Sequence, residues 1–232
     1  MTRGRYHSQM HDYKDAFLKL ALAHEVLKFG QFTLKSGRVS PYFFNLGRIS
    51  TGGALRTLAG AYADALLASG VGFDMLFGPA YKGIPLVAAL SVALAERGRD
   101  LPYAYNRKEA KDHGEGGTLV GAPPGGRVVI VDDVLTAGTA LRESVRLLRA
   151  AGAQPVAALI ALDRQETSVS DGAGGVSAVA QLERDEGLRV ISLVSVTDVM
   201  DYLARGAGDA ATVEAIRGYQ ARYGVPAQER GT

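Results

Sequence analysis

The sequence predicts an α/β fold in which a central, mostly parallel sheet is flanked by helices. Short apolar stretches alternate with helical patterns from residue 75 onward, which is typical of parallel sheets covered on both faces. Residues 128–131 are apolar at every position, as expected of a strand buried on both faces. With 232 residues, the chain can form one large domain, and nothing in it requires two.

The predicted elements follow from local patterns. An opening helix at 16–29 carries apolar residues at helical spacing and ends at Gly30. Two β-like stretches at 32–34 and 41–44 flank a hairpin turn. The remaining predicted elements are a helix at 55–68, strands at 75–77, 103–105, 128–131, 156–162 and 190–194, helices at 84–96, 139–150 and 177–185, and one or two helices within 199–223.

Composition excludes several classes of protein. Lys and Arg number 26 against 24 Asp and Glu, a net charge of +2, so no global charge favours nucleic acid or an anionic membrane. The absence of cysteine excludes disulfides, thiolate metal sites and a cysteine nucleophile, and it fits a reducing cytosol. The apolar runs are too short to span a bilayer, and the polar start is neither a secretory signal nor an anchor. A soluble, cytoplasmic protein is therefore expected.

The strongest motif is VVIVDDVLTAGTA at residues 128–140. A buried strand delivers Asp132 and Asp133 to its end, and a turn of small residues with Thr136 and Thr139 then opens a helix. Backbone N–H groups, hydroxyls and the helix N-terminus can hold a phosphate there, while the carboxylates accept hydrogen bonds from sugar hydroxyls. The alternative is an ordinary junction in which Asp133 or Thr139 caps the helix. Two acids at a buried strand end are costly without a ligand or partners, which favours the phosphate site.

Two further segments bear on function. Residues 77–83, FGPAYKG, lie between a strand and a helix, where backbone amides and Lys82 can face an anion, although Gly-Pro alone is only a turn signal. Residues 106–126 are rich in glycine, proline and charge without hydrophobic periodicity. Such a segment is either a solvated surface loop or, given its place after a sheet strand, a mobile active-site lid.

These segments together resemble the type I phosphoribosyltransferases. The 128–140 motif is similar to their loop for the 5-phosphate of phosphoribosyl diphosphate, and 77–83 is similar to their pyrophosphate loop. The string NRKEAKDHGEG at 106–116 closely resembles the catalytic lid of the orotate-specific branch. Neither a P-loop nor a dinucleotide fingerprint is present. The resemblance runs from about residue 16 to 223.

The resemblance implies the type I phosphoribosyltransferase fold with a small hood. The expected organisation is a loosely ordered extension at 1–12 and a single domain at 13–225, with the hood built from about 13–50 and 175–225 and a mobile lid at 106–118. Residues 167–175 form a Ser/Gly-rich connection to which no role is assigned. A homodimer is also implied, in which the lid of one subunit closes over the site of its neighbour.

The resemblance also implies roles for individual residues. Catalytic roles around the pyrophosphate fall to Arg107, Lys108, Lys111 and His113. Binding of phosphoribosyl diphosphate falls to Lys35, Tyr81, Lys82, Asp132, Asp133, Val134, Leu135, Thr136, Ala137, Gly138, Thr139 and Ala140. Orotate binding falls to Phe43, Phe44, Thr136 and Arg164. Mg²⁺ is expected as cofactor, held mainly by substrate oxygens rather than by a metal site of the protein.

Structural alternatives exist for several of these residues. Phe43 and Phe44 are also compatible with a core position, Arg164 with a surface ion pair, and His113 with an ordinary surface residue. Orotate is a planar carboxylate, so its pocket needs a cation and rigid contacts, which these residue types supply.

The implied activity is transfer of the phosphoribosyl group to orotate, giving orotidine 5′-phosphate and pyrophosphate in de novo pyrimidine biosynthesis. A transferase for another base, such as a purine, would keep both anion loops but lack a cation aimed at a carboxylate. A regulator that binds the donor and contacts nucleic acid would need an added module or a basic face, and no segment is long enough for a helix-turn-helix domain.

Overall fold

The computed structural model describes residues 3–34, 36–111, 117–135, 138–167 and 175–225. Eight strands are present in this part of the chain: β1 (Leu27–Thr33), β2 (Val39–Phe44), β3 (Met75–Gly78), β4 (Tyr103–Lys111), β5 (Gly117–Gly121), β6 (Arg127–Val131), β7 (Gln154–Asp163) and β8 (Arg189–Ser195). The α-helices are α1 (Arg3–Ala23), α2 (Gly52–Ala68), α3 (Gly83–Ala95), α4 (Thr139–Ala150), α5 (Ala178–Glu186), α6 (Val196–Tyr202) and α7 (Ala210–Tyr223). A 3-10 turn at Leu46–Arg48 precedes α2, and a π-helical turn at Leu203–Ala207 follows α6.

A six-stranded sheet forms the centre of the molecule, in the order β5-β4-β3-β6-β7-β8. All neighbours in it are parallel except β4 and β5. The prediction of a mostly parallel sheet flanked by helices is therefore confirmed. Since β6 lies in the interior of the sheet, its carboxyl end opens beside those of β3 and β7, where ligands bind in folds of this class.

The core is divided by the sheet into two apolar layers. Val129 and Val131 pack with α1, α2 and α3 on one face, whereas Val128 and Ile130 pack with α4 and α5 on the other. All four side chains are fully buried. The alternation follows from the two-residue period of a strand and explains why β6 is apolar at every position from Val128 to Val131.

A smaller two-stranded sheet, β1 with β2, packs against α7, and this unit lies within the segments predicted to form the hood and is given that name here. Tyr42 of β2 is buried and meets Tyr219 of α7 edge-on, with ring centroids 6.2 Å apart. The segment after β7 pairs with the chain after α7, through backbone hydrogen bonds from Thr167 N to Tyr223 O and from Val225 N to Gln165 O. The hood is thereby tied directly to the end of a central strand.

The predicted opening helix at 16–29 is wrong at both ends. α1 ends at Ala23, the chain turns at Glu25 with φ 54°, and Gly30 lies inside β1 next to an irregularity in its pairing. Leu27 and Phe29 alternate with polar Lys28, as in a strand. This short alternation directly follows a helical pattern and is therefore easily taken for its continuation. The extension expected at residues 1–12 is helical from Arg3 onward.

The prediction that 106–126 lacks regular structure is also wrong. β4 continues to Lys111, and β5 returns antiparallel to it, with a shift of register between Asn106 and Lys111. Backbone pairing forms this hairpin at the edge of the sheet, where charged side chains are tolerated and no apolar face is required. A search for hydrophobic periodicity therefore cannot detect it.

Gly83 provides a test of how tightly the site is packed against the sheet. A Cβ at Gly83 would lie 2.5 Å from Pro79 Cδ and 2.7 Å from the Val131 carbonyl oxygen, both far inside van der Waals contact. We expect Gly83→Ala to lower the free energy of unfolding by about 1–3 kcal/mol, measured by urea denaturation. Gly53→Ala is the matched control, because Gly53 also lies in the first turn of a helix and a Cβ there meets nothing within 4 Å. Equal stability of the two variants would contradict this close packing.

Candidate active site

The pairing of β6 continues beyond its last strand residue into the acid pair. Asp132 N donates to Leu159 O at 3.0 Å, Ala161 N donates to Asp133 O at 2.8 Å, and Val134 forms a bridge with Leu162. The backbone of both acids is therefore held by β7. Because this pairing is rigid, the two carboxylates occupy defined positions at the end of the sheet.

Lys82 connects the acid pair to the loop after β3. Its Nζ lies 2.5 Å from Asp133 Oδ2. The Asp133 side chain is 10% exposed, whereas that of Lys82 is 59% exposed. The other oxygen of Asp133 accepts a hydrogen bond from Val134 N at 2.8 Å. The structure thus brings together the two segments that the sequence predicts as anion loops.

Asp132 is the more perturbed of the two acids. Burial, and next the nearby charge of Asp133, raise the pKa of Asp132 to about 7, although a hydrogen bond from Asp133 N and the charge of Lys82 oppose the rise. The hydroxyl of Tyr62 in α2 donates to the Asp132 carbonyl at 2.9 Å. A ligand that donates hydrogen bonds or brings positive charge would favour the ionised carboxylate.

The loop between β3 and α3 is held on its other side by the hairpin. Ala80 N donates to Asn106 Oδ1 at 2.9 Å, and the Ala80–Tyr81 peptide bond is cis. Tyr81 is 65% exposed, and the Nζ of Lys108 lies 5.0 Å from its ring centroid. Arg107, next to Lys108 on β4, is half-buried.

The second anion loop leads into α4. Gly138 is the N-cap residue of this helix, has φ 72°, and leaves the helix without a side-chain cap. The alternative in which Asp133 or Thr139 caps α4 is therefore wrong. Thr139 and Ala140 are exposed in its first turn, where uncapped N–H groups and the helix dipole favour an anion.

The neighbouring predicted residues differ in what they offer a ligand. The Leu135 side chain is buried among core residues, so only its backbone can contact a ligand, and Val134 is half-buried. Lys35, His113, Thr136 and Ala137 lie outside the described residues, as does the side chain of Lys111.

The two aromatic residues predicted for orotate binding lie in different surroundings. Phe43 is 41% exposed and packs against Phe32 at a centroid distance of 5.5 Å. Phe44 is half-buried and faces Phe17 of the core at 6.4 Å. The core alternative therefore describes Phe44 better than Phe43.

Arg164 follows β7 and is held by groups from two parts of the molecule. Its Nε and Nη2 lie 2.9 and 2.6 Å from Glu166 Oε1, and its guanidinium carbon lies 4.6 Å from the centroid of the Tyr42 ring. Its side chain is 16% exposed. Arg164 does form an ion pair, as the alternative interpretation expected. The pair does not lie on the surface, however, because Arg164 is largely covered by the hood.

Comparison with known proteins identifies the family. The family model for the phosphoribosyl transferase domain matches residues 49–179. The chain is 57% identical over 217 residues to an orotate phosphoribosyltransferase from Cellvibrio japonicus, covering 93% of this chain and 99% of that protein. A crystal structure of orotate phosphoribosyltransferase from Francisella tularensis has a TM-score of 0.80 and 42% identity, covering 90% of this chain and 98% of that one. The chain belongs to the orotate phosphoribosyltransferase family.

Three residues that contact the predicted site were not predicted from the sequence. Tyr62, Asn106 and Glu166 each contact a predicted site residue or its loop. Asn106 and Glu166 both lie within the sequence segments described above. The partner of Asn106, Ala80, is distant along the chain, and the contact of Glu166 with Arg164 depends on the turn after β7. Tyr62 lies in an apolar helix and gives no local signal at all.

The described residues contain no group of three or more His, Cys, Asp or Glu side chains arranged to hold a metal ion. Among the same residues, no helix has the length and apolar character needed to cross a membrane.

The raised pKa of Asp132 predicts how stability changes with pH. Between the unfolded value of 3.8 and about 7, the folded protein keeps a proton that the unfolded chain has lost. The free energy of unfolding therefore falls as pH rises through this window. Asp132→Asn removes the titration, so its stability relative to wild type should be about 1–3 kcal/mol higher at pH 8 than at pH 5, measured by urea denaturation without ligands.

Asp74→Asn is the control for this measurement. Hydrogen bonds from Arg127 hold the pKa of Asp74 below its usual range, so this group is ionised in both states from pH 5 to 8. Asp74→Asn should change stability equally at the two ends of that range. A difference between Asp132→Asn and wild type that does not depend on pH would contradict the raised pKa.

Proposed function

We propose that the protein transfers the phosphoribosyl group of phosphoribosyl diphosphate to orotate, forming orotidine 5′-phosphate and pyrophosphate in de novo pyrimidine biosynthesis. The observation that carries the proposal is the Lys82–Asp133 contact, which joins the two predicted anion-binding loops at the carboxyl ends of β3 and β6. A donor with a phosphate at one end and a diphosphate at the other requires two such loops. The names of the relatives support orotate as the acceptor.

Donor binding is assigned to groups with matching chemistry. The uncapped start of α4, with Gly138, Thr139 and Ala140, would hold the 5-phosphate through backbone N–H groups. Asp132 and Asp133 would accept hydrogen bonds from the ribose hydroxyls, which would favour the ionised form of Asp132. Tyr81 and Lys82 would face the diphosphate.

The chemical step places negative charge on the leaving group. The bond from the anomeric carbon to pyrophosphate breaks largely before the ring nitrogen of orotate bonds to that carbon, so cations near the diphosphate lower the barrier. Lys82 pairs with Asp133, and the bound diphosphate would compete with this carboxylate for the ammonium group. Arg107, Lys108, Lys111 and His113 would approach as the hairpin closes and keep water from the cationic sugar.

Mg²⁺ is the proposed cofactor, bound mainly through oxygens of the diphosphate. The acid pair lies next to Lys82, which is proposed to face the diphosphate, and supplies hard oxygen atoms of the kind this ion accepts. When bound, Mg²⁺ would neutralise part of the charge of the diphosphate.

The acceptor site is assigned to the hood. Arg164 would bind the carboxylate and polar edge of orotate, Phe43 and Phe44 would contact its ring, and Thr136 would complete the contact with the donor side. Arg164 supports this assignment because its guanidinium is already oriented by Tyr42 and Glu166.

The family resemblance also supports two statements about the whole protein. We propose that it forms a homodimer in which each hairpin serves the neighbouring site, and that it acts in the cytoplasm.

The activity can be measured directly. Wild-type protein with Mg²⁺ and phosphoribosyl diphosphate should consume orotate, followed by its absorbance, and should not consume uracil, adenine or hypoxanthine. Lys111→Ala should lower kcat by about 10²–10³-fold, because a cation at the leaving group is lost. Lys19→Ala, a change at an exposed lysine of α1, is the control and should match wild type. Turnover of a purine instead of orotate would contradict the assigned acceptor.

Shared sites can be tested by mixing two inactive variants. In a heterodimer of Lys111→Ala and Asp133→Asn subunits, one site combines an intact core with an intact hairpin if the hairpins act across the interface. Random reassembly should then restore about a quarter of wild-type activity. If each hairpin serves its own subunit, both sites of the heterodimer are damaged and the mixture stays inactive. Size-exclusion chromatography would confirm that exchange has occurred.

A further inference from the structure

Glu166, which has no contact with substrate in the reaction scheme above, lies at the centre of a group of polar side chains. Its Oε1 accepts hydrogen bonds from Tyr42 Oη at 3.0 Å and from Arg164 Nε at 2.9 Å, with Arg164 Nη2 at 2.6 Å. Its Oε2 lies 3.9 Å from an amino group of Arg38. Two donors, Tyr42 and Arg164, and the charge of Arg38 therefore converge on one carboxylate.

This carboxylate is well shielded from solvent. The side chains of Glu166 and Arg164 are 13% and 16% exposed, and that of Arg38 is 12% exposed. An ion pair in such surroundings is weakly screened, and removing one partner leaves an unbalanced charge. A contact of this kind has a stronger effect on the orientation of a side chain than an exposed pair does.

The backbone on either side of Glu166 is fixed independently of its side chain. Gln220 of α7 donates to the Arg164 carbonyl at 3.1 Å, and Val225 N donates to the Gln165 carbonyl at 3.0 Å. Thr167 N donates to Tyr223 O at 2.8 Å. The Glu166 carboxylate is thus not needed to hold the chain in place, and its most direct effect is on the Arg164 guanidinium.

The geometry around Arg164 restricts its guanidinium in two directions. The Tyr42 ring lies under its face, and Glu166 holds the edge that carries Nε and Nη2. The pair with Glu166 does not use Nη1, and Nη2 also donates to Ser40 Oγ at 3.5 Å. A planar guanidinium fixed on one face and one edge presents its remaining edge in a defined orientation, which suits a planar, anionic base.

We infer that Glu166 is a positioning residue for the acceptor site and that, together with Tyr42, it orients Arg164 to bind the base. This inference rests on the proposed function, in which Arg164 contacts orotate. Glu166 does not touch the substrate itself. Its contribution is to prevent Arg164 from adopting other rotamers, so that the cost of ordering the arginine is met before the base binds.

Steady-state kinetics of Glu166→Gln test the inference. The substitution keeps the shape of the side chain but removes its charge and places an amide donor among groups that are themselves donors. We expect KM for orotate to rise about tenfold, as for a displaced contact group, while KM for phosphoribosyl diphosphate stays within about twofold of wild type. Tyr42→Phe should shift KM for orotate in the same direction by a smaller factor.

Glu186→Gln is the matched control. Glu186 has a side chain 14% exposed and pairs with Arg149 at 2.9 Å, at the end of α4 opposite to its anion-binding start. This control should lose stability in thermal denaturation, as Glu166→Gln does, without a change in KM for orotate. A general loosening of the fold would instead raise both Michaelis constants of Glu166→Gln.

A double-mutant cycle with Arg164→Ala shows whether Glu166 acts through the arginine. Once Arg164 is absent, Glu166→Gln should change KM for orotate by no more than about twofold. Additive effects, an unchanged KM in Glu166→Gln, or a lower KM would each overturn the inference. A lower KM would mean that Glu166 competes with the carboxylate of the base. Failure of the proposed function would be distinct, because wild type itself would then not consume orotate.

Discussion

Burial of two adjacent carboxylates at the end of the central strand governs the arrangement of the whole site. Backbone pairing with β7 carries Asp132 and Asp133 into a partly desolvated position, where one carboxyl is driven toward its neutral form. Water cannot fully solvate these groups, so the neighbouring loops must supply partners. Lys82 does so from the loop after β3, and Tyr62 holds the Asp132 backbone from α2.

The same constraint explains the packing of the loop that carries Lys82. This loop must approach β6 closely enough for an ammonium group to reach Asp133, and a glycine at position 83 permits the approach. Asn106 holds the opposite side of the loop and connects it to the charged hairpin. The groups proposed to bind the two ends of the donor are thus mechanically connected through short, directional contacts.

The hood is joined to this edge of the sheet through the turn after β7. Arg164 and Glu166 extend from the central sheet, whereas Tyr42, Arg38 and Tyr219 come from β2, its preceding turn and α7. The residues proposed for the acceptor therefore lie where the hood meets the sheet. Any movement of the hood relative to the sheet would change the position of Arg164 with respect to the acid pair.

The amino-acid sequence by itself determined the central α/β elements and the two predicted anion loops, because both depend on patterns of residues that are close together along the chain. The apolar run at 128–131, the acid pair and the small residues before α4 all lie within thirteen consecutive positions. Tertiary structure alone decided the hairpin at the sheet edge, the role of Leu135 as a core residue and the partners of Arg164. These depend on backbone pairing and on contacts such as Tyr42–Glu166, whose partners are 124 residues apart. Local periodicity carries no information about which distant segments meet.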